Sequence, residues 1–275
     1  ENGRVALSLL RTGRFADPYL IPTGPTAHPT PLWPAVLALI YRAFGVTATA
    51  GYVRALAAIA SYSLLFALMP WLAQRLGLGM RAGTIAGVAG ALIPQPLYEI
   101  AGAGVSAHAA LALGLVTTAF LQRWTSDRRS IPGSLALGAA CGAAFHVSPP
   151  LLPVVLGSLL FELWWRRGRR AWVLPAWVAA GAVLACAPWT WRNYTALYGW
   201  FFIRSNFGLE LRIANRPGAH PDIDAALARE GTLRHPSENL EEARRVRDLG
   251  EAEYMRQARS EATEWIRTHP GEFLR

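Results

Sequence analysis

Between Tyr52 and Ala187 the chain is a series of apolar stretches interrupted only by short clusters of arginine. A bilayer core about 30 Å thick takes about 20 apolar residues as a helix, and lipid offers no partner for an unpaired backbone amide. Such a stretch is therefore expected to fold as membrane helices that satisfy their own backbones. Six spans are predicted, over residues 52–73, 82–97, 108–121, 131–145, 151–165 and 171–187. Several have only fifteen to seventeen residues and are rich in Gly and Ala, which suits close packing against neighbouring helices. The turns alternate in charge. Those at Arg75/Arg81, Arg123/Arg128/Arg129 and Arg166/Arg167/Arg169/Arg170 hold nine arginines, and those at Glu99 and His146 hold none. Basic turns stay cytoplasmic. The other turns, and the segments before and after the bundle, are then expected on the outer face of a bacterial inner membrane.

Charge is divided as unevenly as hydropathy. Residues 1–187 carry fourteen Arg against five acids, whereas residues 188–275 carry thirteen of each, so the net charge of +9 belongs to the membrane half. There it sets orientation and meets phosphates, which argues against a nucleic-acid-binding role. All basic residues are Arg and none is Lys. Cys141 and Cys186 both fall within predicted spans, so neither a disulfide framework nor a zinc pattern is expected of them. The polar opening ENGRVALSLLRTGRF does not read as a signal peptide. With the ending HPGEFLR, it is read as belonging to a fragment of a longer membrane protein.

The expected fold class is all-α: a polytopic bundle over 51–190, an outer-face segment with two membrane-surface helices over 1–50, and an outer-face helical segment over 191–275. The apolar face of Asn2–Thr12 suits a helix lying on a membrane. Six prolines between residues 13 and 34 predict an ordered loop with fixed turns. Leu32–Phe44, about 20 Å as a helix, is too short to span and is placed in the interface. At 188–208, PWTWRNYTALYGWFFIRSNFG, the last span surfaces among rings that favour the headgroup layer, with Arg192 and Arg204 at the level of lipid phosphate. Beyond it a short helix is expected over 223–230. Ser237 is read as the cap of a helix with an acidic first turn, and Leu240 to Ile266 supplies an apolar stripe interrupted near Gly250.

Neither a metalloprotease HExxH, a P-loop, a nucleotide fingerprint nor a GxSxG elbow occurs. What remains is a set of polar groups predicted at one membrane face. Glu1, Asp17 and His28 precede the bundle, Glu99, His108 and His146 stand at span ends, and Arg192, Arg204, Asn206 and Asn215 follow. Ionisable groups near lipid are costly unless paired or wet, which singles out Glu99 and His108 across one turn. Arg192 and Arg204 suit a phosphate, because guanidinium forks onto two oxygens and stays charged near lipid. Asn206 suits phosphate or sugar hydroxyls.

The order of elements resembles the C-type glycosyltransferases, integral membrane enzymes that include protein O-mannosyltransferases and the lipid A aminoarabinose transferase. The resemblance rests on ENGRVALSLLRTGRF with TGPTAHPTPLWPAVLALIYRAFG, PWTWRNY with RSNFGLELRIANRPGA, and GEAEYMRQARSEATEWIRTHPGEFLR, and it covers essentially the whole chain. It implies transfer of a sugar from a polyprenyl-phosphate-linked donor to an acceptor at the outer face. The family's catalytic Asp lies ahead of the first surface helix, so the resemblance puts it and the first span before residue 1, with Glu1 as the tail of that motif. His28 stands where the aminoarabinose enzyme has an acid, which makes it the candidate ligand for a divalent metal ion. The rivals are a transporter or flippase for a lipid-linked substrate and a noncatalytic binding subunit.

Overall fold

The computed structural model describes residues 1–93, 105–126, 129–166, 168, 170–219 and 234–274. Regular structure among them is helical, and the chain divides into two compact units: Glu1–Arg42 with Trp189–Arg275, and Ala43–Pro188. The fold is all-α.

In the second unit, α3 (Ala48–Arg75), α4 (Met80–Leu92), α5 (Val105–Thr125), α6 (Ile131–Val147), α7 (Leu152–Trp165) and the first part of α8 (Val173–Leu197) carry the apolar sequence. Helices α3, α5 and α8 are each long and apolar enough to cross a membrane, and α6 and α7 are shorter apolar helices. Glycine sets how closely they pack. A Cβ at Gly138 would stand 2.0 Å from the Val178 carbonyl, and one at Gly181 2.3 Å from that of Leu135, so α6 and α8 meet backbone to backbone. Gly83 allows the same approach of α4 to α3, where an added Cβ would meet Met69 O at 2.4 Å. With lipid outside, such small-residue seams supply much of the packing that apolar burial supplies in water.

Helix α8 differs from the expected span ending at residue 187. It runs through Pro188 to Leu197. Proline removes one donor and crowds one turn, but the segment that follows, WTWRNYTAL, has a helical run of partners of its own, described below.

The first unit begins with α1 (Asn2–Thr12), which buries Val5, Ala6 and Ser8 and ends at Gly13, whose φ of 69° allows its N–H to reach Leu9 O. The proline segment follows as a folded loop. Asp17, at φ 59°, accepts from the backbone N–H groups of Thr23 and Gly24 at 2.9 and 2.8 Å, closing a tight reversal between Ala16 and Pro25. Helix α2 (Leu32–Phe44) buries Trp33, Leu37 and Ile40. After α8 come α9 (Phe207–Ala214), α10 (Leu240–Leu249), α11 (Glu251–Thr268) and the one-turn α12 (Pro270–Phe273). Tyr19, Leu209, Ala243, Val246, Tyr254 and Met255 form their shared core. Gly208 brings α9 against α11, since a Cβ there would lie 2.1 Å from Met255 O.

The cap of α10 is Asn239, whose side chain accepts from Glu242 N at 3.0 Å, and not the expected Ser237. Ser237 instead donates its hydroxyl to Glu1. Gly250, at φ 79°, divides α10 from α11 where the stripe is interrupted. The short helix expected over 223–230 lies outside the described residues.

Candidate functional site

The sequence PWTWRNY carries the site because α8 presents Thr190, Arg192 and Asn193 on its final turns. Arg192 sits over the rings of Phe15 and Trp189 and donates to Thr26 O at 2.5 Å and Phe15 O at 2.7 Å. Asn193 is fully buried and donates to Phe201 O and Ile203 O, both at 3.2 Å. The Thr190 hydroxyl and the Trp189 indole donate to Phe202 O and Ile203 O. Thus one helix end holds both the proline loop and the run 201–203.

A buried carboxylate completes the clamp. Glu251, 4% exposed at the start of α11, accepts from the Thr26 hydroxyl at 2.5 Å, Ala27 N at 2.7 Å and the Ser205 hydroxyl at 2.7 Å. Ser205 N also donates to Ala27 O. A carboxylate deprived of water is tolerated when each oxygen is met by donors, as here.

Arg204 donates through Nε to His28 O at 2.6 Å, and its other two guanidinium nitrogens have no hydrogen bond to a described residue. Burial pulls its pKa below the ordinary value, opposed by the charges of Glu1 and Glu210. It lines an open cavity of about 790 Å³, whose walls include Tyr198, Trp200, Phe207, Glu253, Arg256 and Arg259. Arg259 lies over the Phe207 ring, and Arg256 pairs with Glu253. One guanidinium in this wall is therefore stacked, one is paired, and Arg204 is tethered by a single nitrogen.

Beside it stands a cluster of Glu1, His28 and His235. The Glu1 Oε1 is 3.3 Å from His28 Nε2 and 3.5 Å from His235 Nε2, and it accepts from Ser237 Oγ at 2.6 Å. Burial by itself would raise the Glu1 carboxyl, but the hydrogen bond and charge of His28, with Ser237 and His235, hold it well below the ordinary carboxylate range. Burial lowers His235, against the pull of Glu1. His235 Nδ1 accepts from Ser237 N at 3.1 Å, so its ring proton is on Nε2, facing Glu1. His28 is 1% exposed, and its Nδ1 is buried without a partner among the described residues. The Tyr19 ring packs on His28 with centroids 5.2 Å apart, and burial raises its hydroxyl pKa, with Glu251 and Glu1 adding to the shift.

Comparison of the chain with protein-family models, with curated proteins and with solved structures returns no match.

The residues singled out from sequence divide as follows. Glu1, His28, Arg192, Arg204 and Asn206 belong to the first unit. Asn206 precedes α9 and donates to Glu210 at 3.0 Å, and Asn215 closes the same helix by donating to Leu211 O. Asp17 holds the loop reversal. His108 and His146 belong to the second unit, where His108 Nδ1 lies 2.8 Å from Ser61 Oγ and His146 Nδ1 lies 2.8 Å from Gly142 O. Glu99 lies outside the described residues. Three members of the site carry little signal of their own in the sequence. Asn193 hides beside the more conspicuous Arg192, Glu251 looks like an ordinary first-turn acid, and His235 was passed over in HPSEN.

Proposed function

We propose that the chain acts as a membrane glycosyltransferase that moves a sugar from a polyprenyl-phosphate-linked donor to an acceptor at the outer face of the cytoplasmic membrane. The observation that carries this reading is the cavity lined by Arg204, held among the described residues by one nitrogen, and by several aromatic side chains. A phosphate with an isoprenoid tail needs that pairing: forked donors for the head and apolar surface for the chain. In the reaction the bond from the sugar's anomeric carbon to the phosphate oxygen breaks and the acceptor oxygen bonds to that carbon, its proton passing to the released phosphate or to water. The phosphate leaves with the electron pair, and Arg204 stabilises its growing charge. Arg192 has a positioning role, because both terminal nitrogens are spent on loop carbonyls.

Glu1, His28 and His235 offer one carboxylate oxygen and two imidazole nitrogens within 4.8 Å of one another, the donor types of a catalytic zinc site. They fit a divalent ion in composition and spacing, and the hydrogen-bonded arrangement is the proton-filled form of that set, since His235 carries its proton on the nitrogen that would ligate. An ion held there would supply positive charge to a phosphate oxygen. Glu1 is too acidic to take a proton from a hydroxyl efficiently near neutral pH.

A carrier for the same lipid is the other reading, but carriers bind near mid-membrane between broken helices. Here Arg123 and Glu162 both stand in the last turns of their helices, α5 and α7. To test the enzyme reading, the purified full-length protein is offered radiolabelled polyprenyl-phosphate sugars. Arg204→Ala should lower turnover at least tenfold, and Arg204→Lys should recover only part of it because a point charge does not fork. Unchanged turnover in Arg204→Ala would overturn the phosphate role.

A further inference from the structure

At one end of the second unit, three arginines surround the buried carboxylate of Glu162, which is 1% exposed. Arg123 donates through Nε to Glu162 Oε2 at 2.8 Å and through Nη1 to Ser134 Oγ at 3.1 Å. Arg129 Nη1 and Arg166 Nε each lie 3.8 Å from Glu162 Oε1. Among the described residues, one carboxylate therefore faces three guanidiniums. Arg123 has a side chain only 7% exposed, yet its Nη2 is buried with no partner among the described residues. A buried guanidinium nitrogen without an acceptor, in a cluster whose described residues are three guanidiniums to one carboxylate, is costly unless an anion completes it.

The space for that anion is present. A cavity of about 280 Å³ is lined by Gln122, Arg123, Ser126, Arg129, Ser130 and Gly133, with Ala119 and Leu137 as its apolar wall. It opens at the start of the 17-residue helix α6, where Ser130 caps Gly133 N at 3.2 Å and the helix dipole adds partial positive charge. We propose that this cavity binds a phosphate-type anion, forked between Arg123 and Arg129 at the N-terminus of α6. Two sources share that chemistry, the headgroup of an anionic phospholipid and free phosphate. This site is independent of the donor cavity in the first unit.

The test uses the purified chain in detergent, stripped of lipid and titrated with inorganic phosphate or with micelles containing phosphatidylglycerol or phosphatidylcholine, binding being read by native mass spectrometry and thermal midpoint. Phosphatidylglycerol or phosphate should bind, and Arg129→Gln should weaken that binding at least tenfold, while Arg81→Gln, exposed at the start of α4, should leave it unchanged. Binding of phosphatidylglycerol alone assigns the lipid source; competition by phosphate assigns the free ion. Arg123→Gln by itself strands Glu162, so the double variant Arg123→Gln/Glu162→Gln is the second probe, expected to fold and to lose the anion. Equal affinity in Arg129→Gln and the unsubstituted protein, equal loss in Arg81→Gln, or no preference for either anion over phosphatidylcholine would overturn the proposal.

Discussion

Glu251, at the start of α11, accepts three hydrogen bonds through its two oxygens, from the Thr26 hydroxyl, the Ala27 amide and the Ser205 hydroxyl. Glu251→Gln keeps the shape but turns an amide NH2 toward groups that already donate. It should cost about 1–3 kcal/mol, the range for a buried donor left without an acceptor. Chemical denaturation followed through tryptophan fluorescence measures it, and a loss under about 0.5 kcal/mol would remove Glu251 from the clamp. Single residues were unevenly legible from sequence. Arg192 and Arg204 stand out because a cation in an aromatic, lipid-adjacent stretch must have an anionic or polar partner. Their partners turn out to be backbone carbonyls of Phe15, Thr26 and His28, and a carbonyl leaves no trace in a sequence.

Helices α9, α10 and α11 are joined by a charged network as well as by their core. Arg212 of α9 donates to Glu242 of α10 at 2.7 Å and to Glu261 of α11 at 3.3 Å, and Arg245 reaches Glu261 at 2.5 Å. Burial alone would raise the Glu261 carboxyl, but Arg245 and Arg212 hold it below its ordinary 4.5. A depressed folded pKa contributes stability that is present above the unfolded value and lost as pH falls through the folded value. The thermal midpoint should therefore drop on acidification below about 4.5, and Glu261→Gln should flatten that part of the profile. An identical acid profile in the variant would assign the loss elsewhere. At this scale α1 and α2 were read from periodicity with the bounds they have in the structure, because each carries a complete apolar face. The end of α8 was not. Proline reads as a stop, whereas the hydrogen bonds made by Thr190, Arg192 and Asn193 reward one more set of helical turns.

For the whole molecule, the charge rule predicts which turns face the cytoplasm. Leu78 is exposed in the turn before α4, between Arg75 and Arg81, and Arg14 is exposed after α1. Cys141 and Cys186 are fully buried and should stay silent toward a membrane-impermeant maleimide. In intact cells Arg14→Cys should then react and Leu78→Cys should react only after permeabilisation; labelling of Leu78→Cys in intact cells, or of Arg14→Cys only after permeabilisation, would overturn the predicted orientation. The sequence by itself determined that the chain is all-α, with helices long and apolar enough to cross a membrane, because apolar length and period are local properties. Only the tertiary structure decided that Glu1, His28 and His235 share one point and that Glu162 lies among Arg123, Arg129 and Arg166. Apart from the i,i+4 pair Glu162 and Arg166, the groups that meet come from separate segments of the chain, and their meeting depends on where helices cross, which distant glycines and buried hydrogen bonds set jointly.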